Sequence, residues 1–402
     1  MQYLRCVVSQ WNGLIETIAI PLAIELAVKI RQNLLLFLFS LCAVGSSSIS
    51  GQTPGNVLRS LWDSAQQPWA SMVSGAALSA EGRCVAIVTP TFVAVADKSA
   101  RELWRWNFKE GNRFIVVSKI AVAPKCDWIA FAGDAGYRYI WIVHRGGKRI
   151  PVKTEGTPLA VEISHNGTLV AVGTGAGLVY LHGADGTLRW KTSIGRPPVQ
   201  EVSIAENDSA VMVRSLGQTV ISISGKVQWS GGVWGVGSSR PSKDFKAAVA
   251  WGEPPHGPGI GTVALLDANG KTVWTRYASY PAAIISSAGD KVIARTNDNQ
   301  NPTEEDGFSP RRAEQANALR LIAADGSVIR TFAVSGDPVA FADDGRRFLI
   351  RTDKDFLALD LEGNTLWSIP TSDPFSTTAL TTADLRNVVI LSDRNVSWFS
   401  AP

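Results

Sequence analysis

Side chains that bind metals are few in this sequence of 402 residues, and they are widely separated. None of its histidines has a second histidine or a cysteine at the spacing of a zinc site. The histidines are His144, His165, His182 and His256. The acidic run TEEDG at 303–307 lacks the alternating oxygen ligands and fixed spacing of a calcium loop, so we interpret it as a solvated segment. The sequence therefore predicts no metal site and no cofactor.

Motifs for nucleophilic catalysis and for phosphate binding are missing as well. No serine lies in a G-x-S-x-G nucleophile elbow. The glycine-rich segment GTGAG at 173–177 joins two predicted strands and lacks the helix that follows a phosphate-binding loop. We therefore predict no catalytic residue, and a binding protein is favoured over an enzyme.

Three residues in long polar segments are candidates for contacting a partner. His256 lies in EPPHGPG (253–259), and Arg311 and Arg312 lie in SPRR (309–312). Because guanidinium groups bind carboxylates well, the two arginines could contact an acidic protein. The alternative is that both segments are solvated insertions without a binding role.

The composition indicates a β-rich globular protein. Hydrophobic residues make up 45% of the chain and charged residues only 18%, and there are 36 glycines and 14 tryptophans. This profile suits many tight turns and large aromatic packing units. The net charge of +4 is dispersed along the chain and forms no basic stripe, so we predict no nucleic-acid partner.

A strand–turn–strand unit that closes on tryptophan recurs along the chain. It is clearest in LVYLHGADGTLRW (178–190), GTVALLDANGKTVW (261–274) and DFLALDLEGNTLW (355–367). We interpret the recurring aromatic as a blade-packing residue and expect Trp190→Ala to destabilise the fold by about 3–5 kcal/mol. The aromatics in this role are Trp62, Trp104, Trp190, Trp229, Trp274, Phe332 and Trp367.

A second hairpin precedes each unit, and it occurs eight times at intervals of about 40–55 residues. Four short strands per repeat at this period predict an all-β fold, a β-propeller of four-stranded blades. The last repeat lacks its fourth strand, while NVLRSLWDS (56–64) stands alone before the first repeat. We therefore predict eight blades closed by the N-terminal strand, with seven blades as the alternative.

The longest insertions fall on one face of this ring. They are 252–260, 297–318 and the connection 106–119. All of them join the second strand to the third or one blade to the next, and in a propeller such connections share a face. Because binding usually resides in long loops on a rigid scaffold, this face is the predicted interaction surface.

The first part of the chain is set apart from the repeats. Residues 34–44, LLLFLFSLCAV, form an apolar run that follows Lys29 and Arg31 and precedes small residues, as in a secretory signal. The run is shorter than the roughly 20 residues that span a bilayer. We therefore expect a leader at 1–52, either cleaved or kept as an anchor, and a single propeller domain at 55–402. The protein is then periplasmic or extracellular, with membrane contact only through an uncleaved leader.

Two of the four cysteines fall outside this leader. Cys84 and Cys126 lie in corresponding parts of successive repeats, so a bridge between neighbouring blades is one interpretation in an exported protein. Two separate buried thiols are the other interpretation.

The D-x-x-G turn followed by tryptophan at 178–190, 262–274 and 357–367 resembles the repeat of quinoprotein-type propellers. That group contains both pyrroloquinoline-quinone dehydrogenases and the non-enzymatic lipoprotein of the outer-membrane barrel-assembly machinery. The S-x-x-G hairpins at 76–89 and 161–174 resemble WD40 repeats. A quinone dehydrogenase would imply vicinal cysteines and a calcium set of Glu, Asn and Asp, whereas Cys84 and Cys126 are far apart in the sequence.

The resemblance covers about 55–402 and implies the fold rather than one activity. We expect a non-catalytic exported scaffold for protein partners of the cell envelope. The alternative is a propeller that binds a quinone, a sugar or another small ligand, including a quinone-dependent oxidoreductase.

Overall fold

A computed structural model describes residues 56–57, 60–63, 73–108, 117–133, 138–195, 197–231, 236–253, 261–278, 280–296, 318–371, 377–392 and 395–402. These residues all belong to the unit Thr53–Pro402. The predicted leader at 1–52 lies outside the described residues. No helix long and apolar enough to cross a membrane occurs within the described ranges.

The described chain folds into eight sheets, built mainly from antiparallel strands that follow one another in sequence. We number these blades I to VIII. The strands of blades I to IV are β3 (Gly75–Leu78), β4 (Cys84–Val88), β5 (Phe92–Asp97) and β6 (Glu102–Asn107); β7 (Val117–Val122), β8 (Trp128–Gly133), β9 (Tyr139–His144) and β10 (Arg149–Lys153); β11 (Pro158–Ile163), β12 (Leu169–Thr174), β13 (Leu178–Gly183) and β14 (Leu188–Ser193); β15 (Glu201–Ile204), β16 (Ala210–Arg214), β17 (Gln218–Ser222) and β18 (Val227–Gly231).

The second half of the ring repeats this arrangement. The strands of blades V to VIII are β19 (Val236–Pro241), β20 (Ala247–Glu253), β21 (Gly261–Asp267) and β22 (Thr272–Ala278); β23 (Ala282–Ile285), β24 (Lys291–Thr296), β25 (Ala318–Ala323) and β26 (Val328–Thr331); β27 (Asp337–Phe341), β28 (Arg347–Arg351), β29 (Asp355–Asp360) and β30 (Thr365–Pro370); β31 (Thr378–Thr381), β32 (Asn387–Ser392) and β33 (Asn395–Ser400).

The start of the described chain closes the ring. The strand β2 (Ser60–Asp63) pairs antiparallel with β33 and completes blade VIII, which confirms the predicted eight blades and their closure. The strand β1 (Asn56–Val57) pairs instead with β30 of blade VII, in parallel, and gives that blade a fifth strand. The sequence did not predict this second pairing. Together the two pairings cover edges that would otherwise be open at the ends of the strand array.

Each blade has a buried interior and a partly exposed outer strand. Every residue of β4 in blade I is buried, whereas β14 of blade III alternates between exposed and half-buried residues. The apolar clusters join neighbouring blades; Val95 of blade I, for example, belongs to one cluster with Phe131 of blade II. The core is therefore a series of interfaces between blades, and each interface must be filled by side chains from both sides.

The D-x-x-G segment forms the turn between the third and fourth strands. In blade V, the Asp267 carboxylate accepts hydrogen bonds from the backbone N–H groups of Asn269 and Lys271, both at 2.9 Å. Gly270 has a φ of +76°, a conformation that side-chain-bearing residues rarely adopt. The glycine at this position recurs because each of these blades needs the same tight reversal, as the positive φ of Gly147, Gly186, Gly225, Gly326 and Gly363 shows.

A disulfide joins blades I and II. Cys84 on β4 is bonded to Cys126, in the turn between β7 and β8, with the two Cα atoms 6.2 Å apart. Of the two interpretations of these cysteines, the bridge between neighbouring blades is therefore the one found.

Candidate functional site

The recurring tryptophans contact the next blade at its last turn. The indole Nε1 of Trp190 on β14 donates a hydrogen bond of 2.8 Å to the carbonyl of Ile223, and its ring covers Gly225 in blade IV. A Cβ atom built on Gly225 would lie 2.8 Å from the ring. Trp229 covers Gly270 of blade V in the same way, and Trp274 covers Gly326 of blade VI.

The burial of these aromatics differs along the ring. Trp104 is 8% exposed and donates a hydrogen bond of 2.7 Å to the carbonyl of Cys126, whereas Trp367 is 3% exposed and packs in a cluster with residues of blade VIII. Trp190 is only half-buried. The backbone of Trp62 pairs with Trp398, and its side chain lies outside the described part.

Blade VI departs from the predicted aromatic pattern. Its residue at the tryptophan position of the register is Arg330, which pairs with Leu321 on β25 just as Trp274 pairs with Leu265. Phe332 lies two residues further along, is 6% exposed and approaches Gly363 of blade VII. Phe332 thus contacts the next blade, but from a different register position than the sequence comparison implied.

The described histidines lie apart from one another. His182 is buried, its ring stacks with Tyr180, and burial lowers the pKa of its imidazole. His144 lies against Trp128, with ring centroids 6.0 Å apart, and His165 lies 3.7 Å from the carboxylate of Glu206. Among the described residues, no three His, Cys, Asp or Glu side chains are grouped so that they could hold a metal ion.

The candidate partner-binding residues His256, Arg311 and Arg312 lie outside the described residues, as does the acidic run at 303–307. The strands on either side of them are described. β20 ends at Glu253 and β21 begins at Gly261, while β24 ends at Thr296 and β25 begins at Ala318. These four strand ends lie at the same end of the neighbouring blades V and VI, because each pair consists of a second and a third strand.

The first strands of the blades surround an axial channel with a volume of about 500 Å³. Its wall extends along these strands to the turn residues Ala80, Pro124 and Ser164. The turn between the first and second strands, which we call the first turn, begins in every blade at a residue whose N–H bonds to the carbonyl of the residue five places later. The residue two places before this starting residue therefore lies at the same height along the channel in every blade, and we call these eight positions the level. The residues of this level are Ala77, Ala121, Glu162, Ser203, Arg240, Ile284, Ala340 and Leu380.

Glu162 and Arg240 are thus the charged residues of a level that is otherwise small or apolar. Arg240 is directed at Glu201, with 3.8 Å between its guanidinium nitrogen and the carboxylate, and Arg214 donates a hydrogen bond of 2.9 Å to that same carboxylate. Glu162 has no hydrogen bond or ion pair from its carboxylate to any described side chain.

The surroundings of Glu162 oppose its ionisation. Its side chain keeps some solvent contact through the channel, but protein surrounds it on the other sides. Desolvation raises the pKa of this carboxyl group to about 7, and the negative charge of Glu201 adds to the rise, whereas Arg240 opposes it. Glu162 is therefore partly protonated at neutral pH.

A separate charge network joins the first turns of four blades. The ammonium group of Lys243 lies 2.8 Å from the carboxylate of Glu206 and also contacts that of Asp343, which accepts a hydrogen bond of 2.7 Å from Ser287. Burial would lower the pKa of Lys243, but these two carboxylates outweigh it and raise the pKa. Lys243 is thus already neutralised by its neighbours.

No sequence motif marks the channel residues, which stand out only as unusual residue types at a repeated position. Glu162 occupies a position where the other copies of the hairpin have alanine, serine, isoleucine or leucine, apart from Arg240 in blade V. An alignment of the eight hairpins on their first turns would have singled out Glu162 and Arg240.

Comparisons with known proteins agree with the ring. A family model described as "Outer membrane protein assembly factor BamB" matches residues 58–238. The C-terminal WD40 domain of Sif2 is similar in structure, with a TM-score of 0.61 and 12% identity, over 87% of this chain and 99% of that domain. Hydrazine synthase of Kuenenia stuttgartiensis gives a TM-score of 0.49 and 16% identity, over 73% of this chain and 99% of that one.

A search of curated protein sequences gives no match. Structural similarity at such low sequence identity shows only that the fold is shared. The family match shows similarity in the repeated sequence unit from which the blades are built. The eight closed blades, and the D-x-x-G turns at 267–270 and 360–363, agree with the fold match and with the family match. The chain is an eight-bladed β-propeller, and its repeats are similar to those of PQQ-like and WD40-like propellers.

Proposed function

We propose that this protein is an exported, non-catalytic scaffold that binds a protein partner of the cell envelope through one face of its ring. The observation that carries this proposal is the match of residues 58–238 to a model described as an outer membrane protein assembly factor. A propeller suits the role because it holds many loops on one rigid frame. Its partner, in this proposal, contacts the loops rather than the blades.

The disulfide supports the export part of the proposal. Cys84 and Cys126 belong to different blades, and their bond closes a loop with a sequence separation of 42 residues. Structural disulfides persist in oxidising compartments and are rare where thiols are kept reduced. The bridge therefore favours the periplasm or the extracellular space, in agreement with the predicted leader.

The proposed contact face is the one on which blades V and VI have their long second-to-third connections. Arg311 and Arg312 lie in one of these connections and His256 lies in the other. We propose the two arginines as contacts for an acidic surface, because guanidinium groups form paired hydrogen bonds with carboxylates.

A crosslinking capture from envelope extracts tests the proposal. The test variant is Arg311→Glu with Arg312→Glu, and a second variant lacks residues 298–317. The matched control is Arg346→Glu with Arg386→Glu; these are exposed residues in first turns, which lie at the opposite end of the blades. We expect loss of the captured partner with the first two variants only. Equal capture by all variants, or no specific partner for the native protein, would overturn the proposal.

Binding of pyrroloquinoline quinone is the alternative that the repeat type raises. The described residues do not fit it well, because Cys84 and Cys126 bridge separate blades and the charged residues in the channel wall are Glu162 and Arg240 rather than a set of calcium ligands. Thermal unfolding with calcium and the quinone provides the test. An unchanged melting temperature is expected, and marked stabilisation would favour the oxidoreductase.

A further inference from the structure

We propose that the axial channel is a binding site for a small aliphatic amine, with the Glu162 carboxylate as the counter-ion of the ammonium group. This site is independent of partner binding at the loop face. The proposal rests on the size of the channel, on the aliphatic side chains in its wall and on the absence of an ion pair at Glu162 among the described side chains.

The channel has room for a small guest. Its volume of about 500 Å³ falls within the range of about 300–1,000 Å³ that is usual for small-molecule sites. Much of its wall consists of aliphatic side chains, among them Val161, Ile284 and Leu380. Such a wall favours a hydrocarbon chain, and a few polar groups then decide the orientation of the guest.

The ion pairs between blades IV, V and VII near the channel do not include Glu162. Glu201 accepts a hydrogen bond from Arg214 and faces Arg240, and Lys243 lies between Glu206 and Asp343. Glu162 has no such partner among the described side chains. An ammonium group beside Glu162 would supply the missing opposite charge in a site where desolvation strengthens the attraction.

The elements packed against β11 add few other charges. They are β7, β8, β12 and β15, and their charged residues are Lys119, which is exposed, and Glu201. Arg240 approaches from β19 and is partly neutralised by Glu201. At the level of Glu162 the other charged residue is Arg240, whose guanidinium faces Glu201, so the carboxylate of Glu162 is left to face a cationic guest.

Isothermal titration calorimetry with n-butylamine tests the proposal on the full-length protein. The two comparison ligands are n-butanol, which has the same chain without the charge, and butyrate, which has the opposite charge. At pH 8, where the amine and Glu162 are both charged, we expect butylamine to bind with a dissociation constant in the millimolar range, at least tenfold tighter than the other two ligands.

The variant Glu162→Gln separates the counter-ion from the cavity. Glutamine keeps the size of the side chain and removes its charge, so binding of butylamine should weaken at least tenfold while the far-UV circular dichroism spectrum stays unchanged. For the native protein, binding should also weaken about tenfold between pH 8 and pH 6, because Glu162 becomes protonated over that interval while the amine stays charged.

Three results would overturn the proposal. They are the absence of butylamine binding to the native protein, equal binding of butylamine and butanol, and unchanged binding to Glu162→Gln. Glu201→Gln serves as a second variant. It removes a carboxylate that already has an arginine partner, so it should weaken butylamine binding less than Glu162→Gln; a greater loss with Glu201→Gln would place the counter-ion at Glu201 instead and would also overturn the proposal.

Discussion

The stability of the ring should fall as Glu162 ionises, and the variant Glu162→Gln isolates this effect. The pKa of Glu162 is raised to about 7 in the folded protein from an ordinary value of 4.5, chiefly by desolvation. A raised folded-state pKa means that the unfolded chain releases this proton first. The contribution of Glu162 to stability is therefore fully present below pH 4.5 and is lost as the pH rises to about 7.

The size of this loss follows from the shift. One pKa unit corresponds to about 1.4 kcal/mol, so the shift amounts to about 3 kcal/mol at most. Because Glu162 keeps some solvent contact in the channel, we expect a measured value nearer to 2 kcal/mol. Glutamine has no proton to lose, so the free energy of unfolding of Glu162→Gln, minus that of the native protein, should increase by this amount between pH 4 and pH 8.

Urea unfolding followed by tryptophan fluorescence, at one-unit pH steps, measures that difference. The other titrating groups contribute equally to the free energies of unfolding of the two proteins, so their contributions cancel in the difference. Only the interaction of such a group with the charge of Glu162 remains in it. Glu362→Gln is the matched control, since its side chain is exposed on a turn of blade VII, and its difference from the native protein should stay within about 0.5 kcal/mol. A pH-independent difference for Glu162→Gln would refute the account of a desolvated carboxyl group in the channel.

The other predictions concern the contacts between blades, and each is measured as a change in the free energy of unfolding. Trp367→Ala should cost about 3–5 kcal/mol because its side chain is buried, whereas Trp190→Ala should cost about half of that because its side chain is half-exposed; equal costs would contradict this account. Gly270→Ala should cost about 2–3 kcal/mol, since the new Cβ would lie 2.3 Å from the ring of Trp229, while Gly147→Ala, at a similar φ and with no atom within 4 Å, should cost about 1 kcal/mol. Replacing Cys84 and Cys126 together by alanine should cost about 2–4 kcal/mol, and adding reductant to the native protein should reproduce most of that loss.

The blade architecture was predictable because it is repeated. Each blade needs the same tight turn and a large residue to fill the gap to its neighbour, so the same residue types recur at a fixed interval. The closing strand was predictable for a related reason, because one repeat lacked a strand that another part of the chain supplied. The parallel pairing of β1 with β30 was not predictable, since Asn56–Val57 is too short to carry a pattern of its own.

The position of Phe332 shows where pattern matching fails. The sequence places it at the end of a copy in which other blades have tryptophan, but the strand register puts Arg330 at that position. Both side chains meet blade VII: Arg330 approaches the carbonyl of Glu362 at 3.4 Å, and Phe332 approaches Gly363. The interface tolerates the exchange because Phe332 directly follows β26, where its N–H still bonds to the carbonyl of Leu319, and a side chain two residues further along an extended backbone points to the same side.

The channel and the blade interfaces depend on the repeat in opposite ways. An interface needs the same side chains in every blade, so agreement between copies identifies the residues that hold the ring together. A site on the axis is built from one residue of each blade. Such a site becomes chemically distinct only where one blade has a different residue type at this position from the other blades. Glu162 and Arg240 are two such exceptional residues. They can be recognised as neighbours in the channel only because the first turns align the first strands of all eight blades. In a propeller, candidate ligand residues are therefore best sought as exceptions within an alignment of its own blades, and their charges are then weighed against the neighbours that the ring brings close.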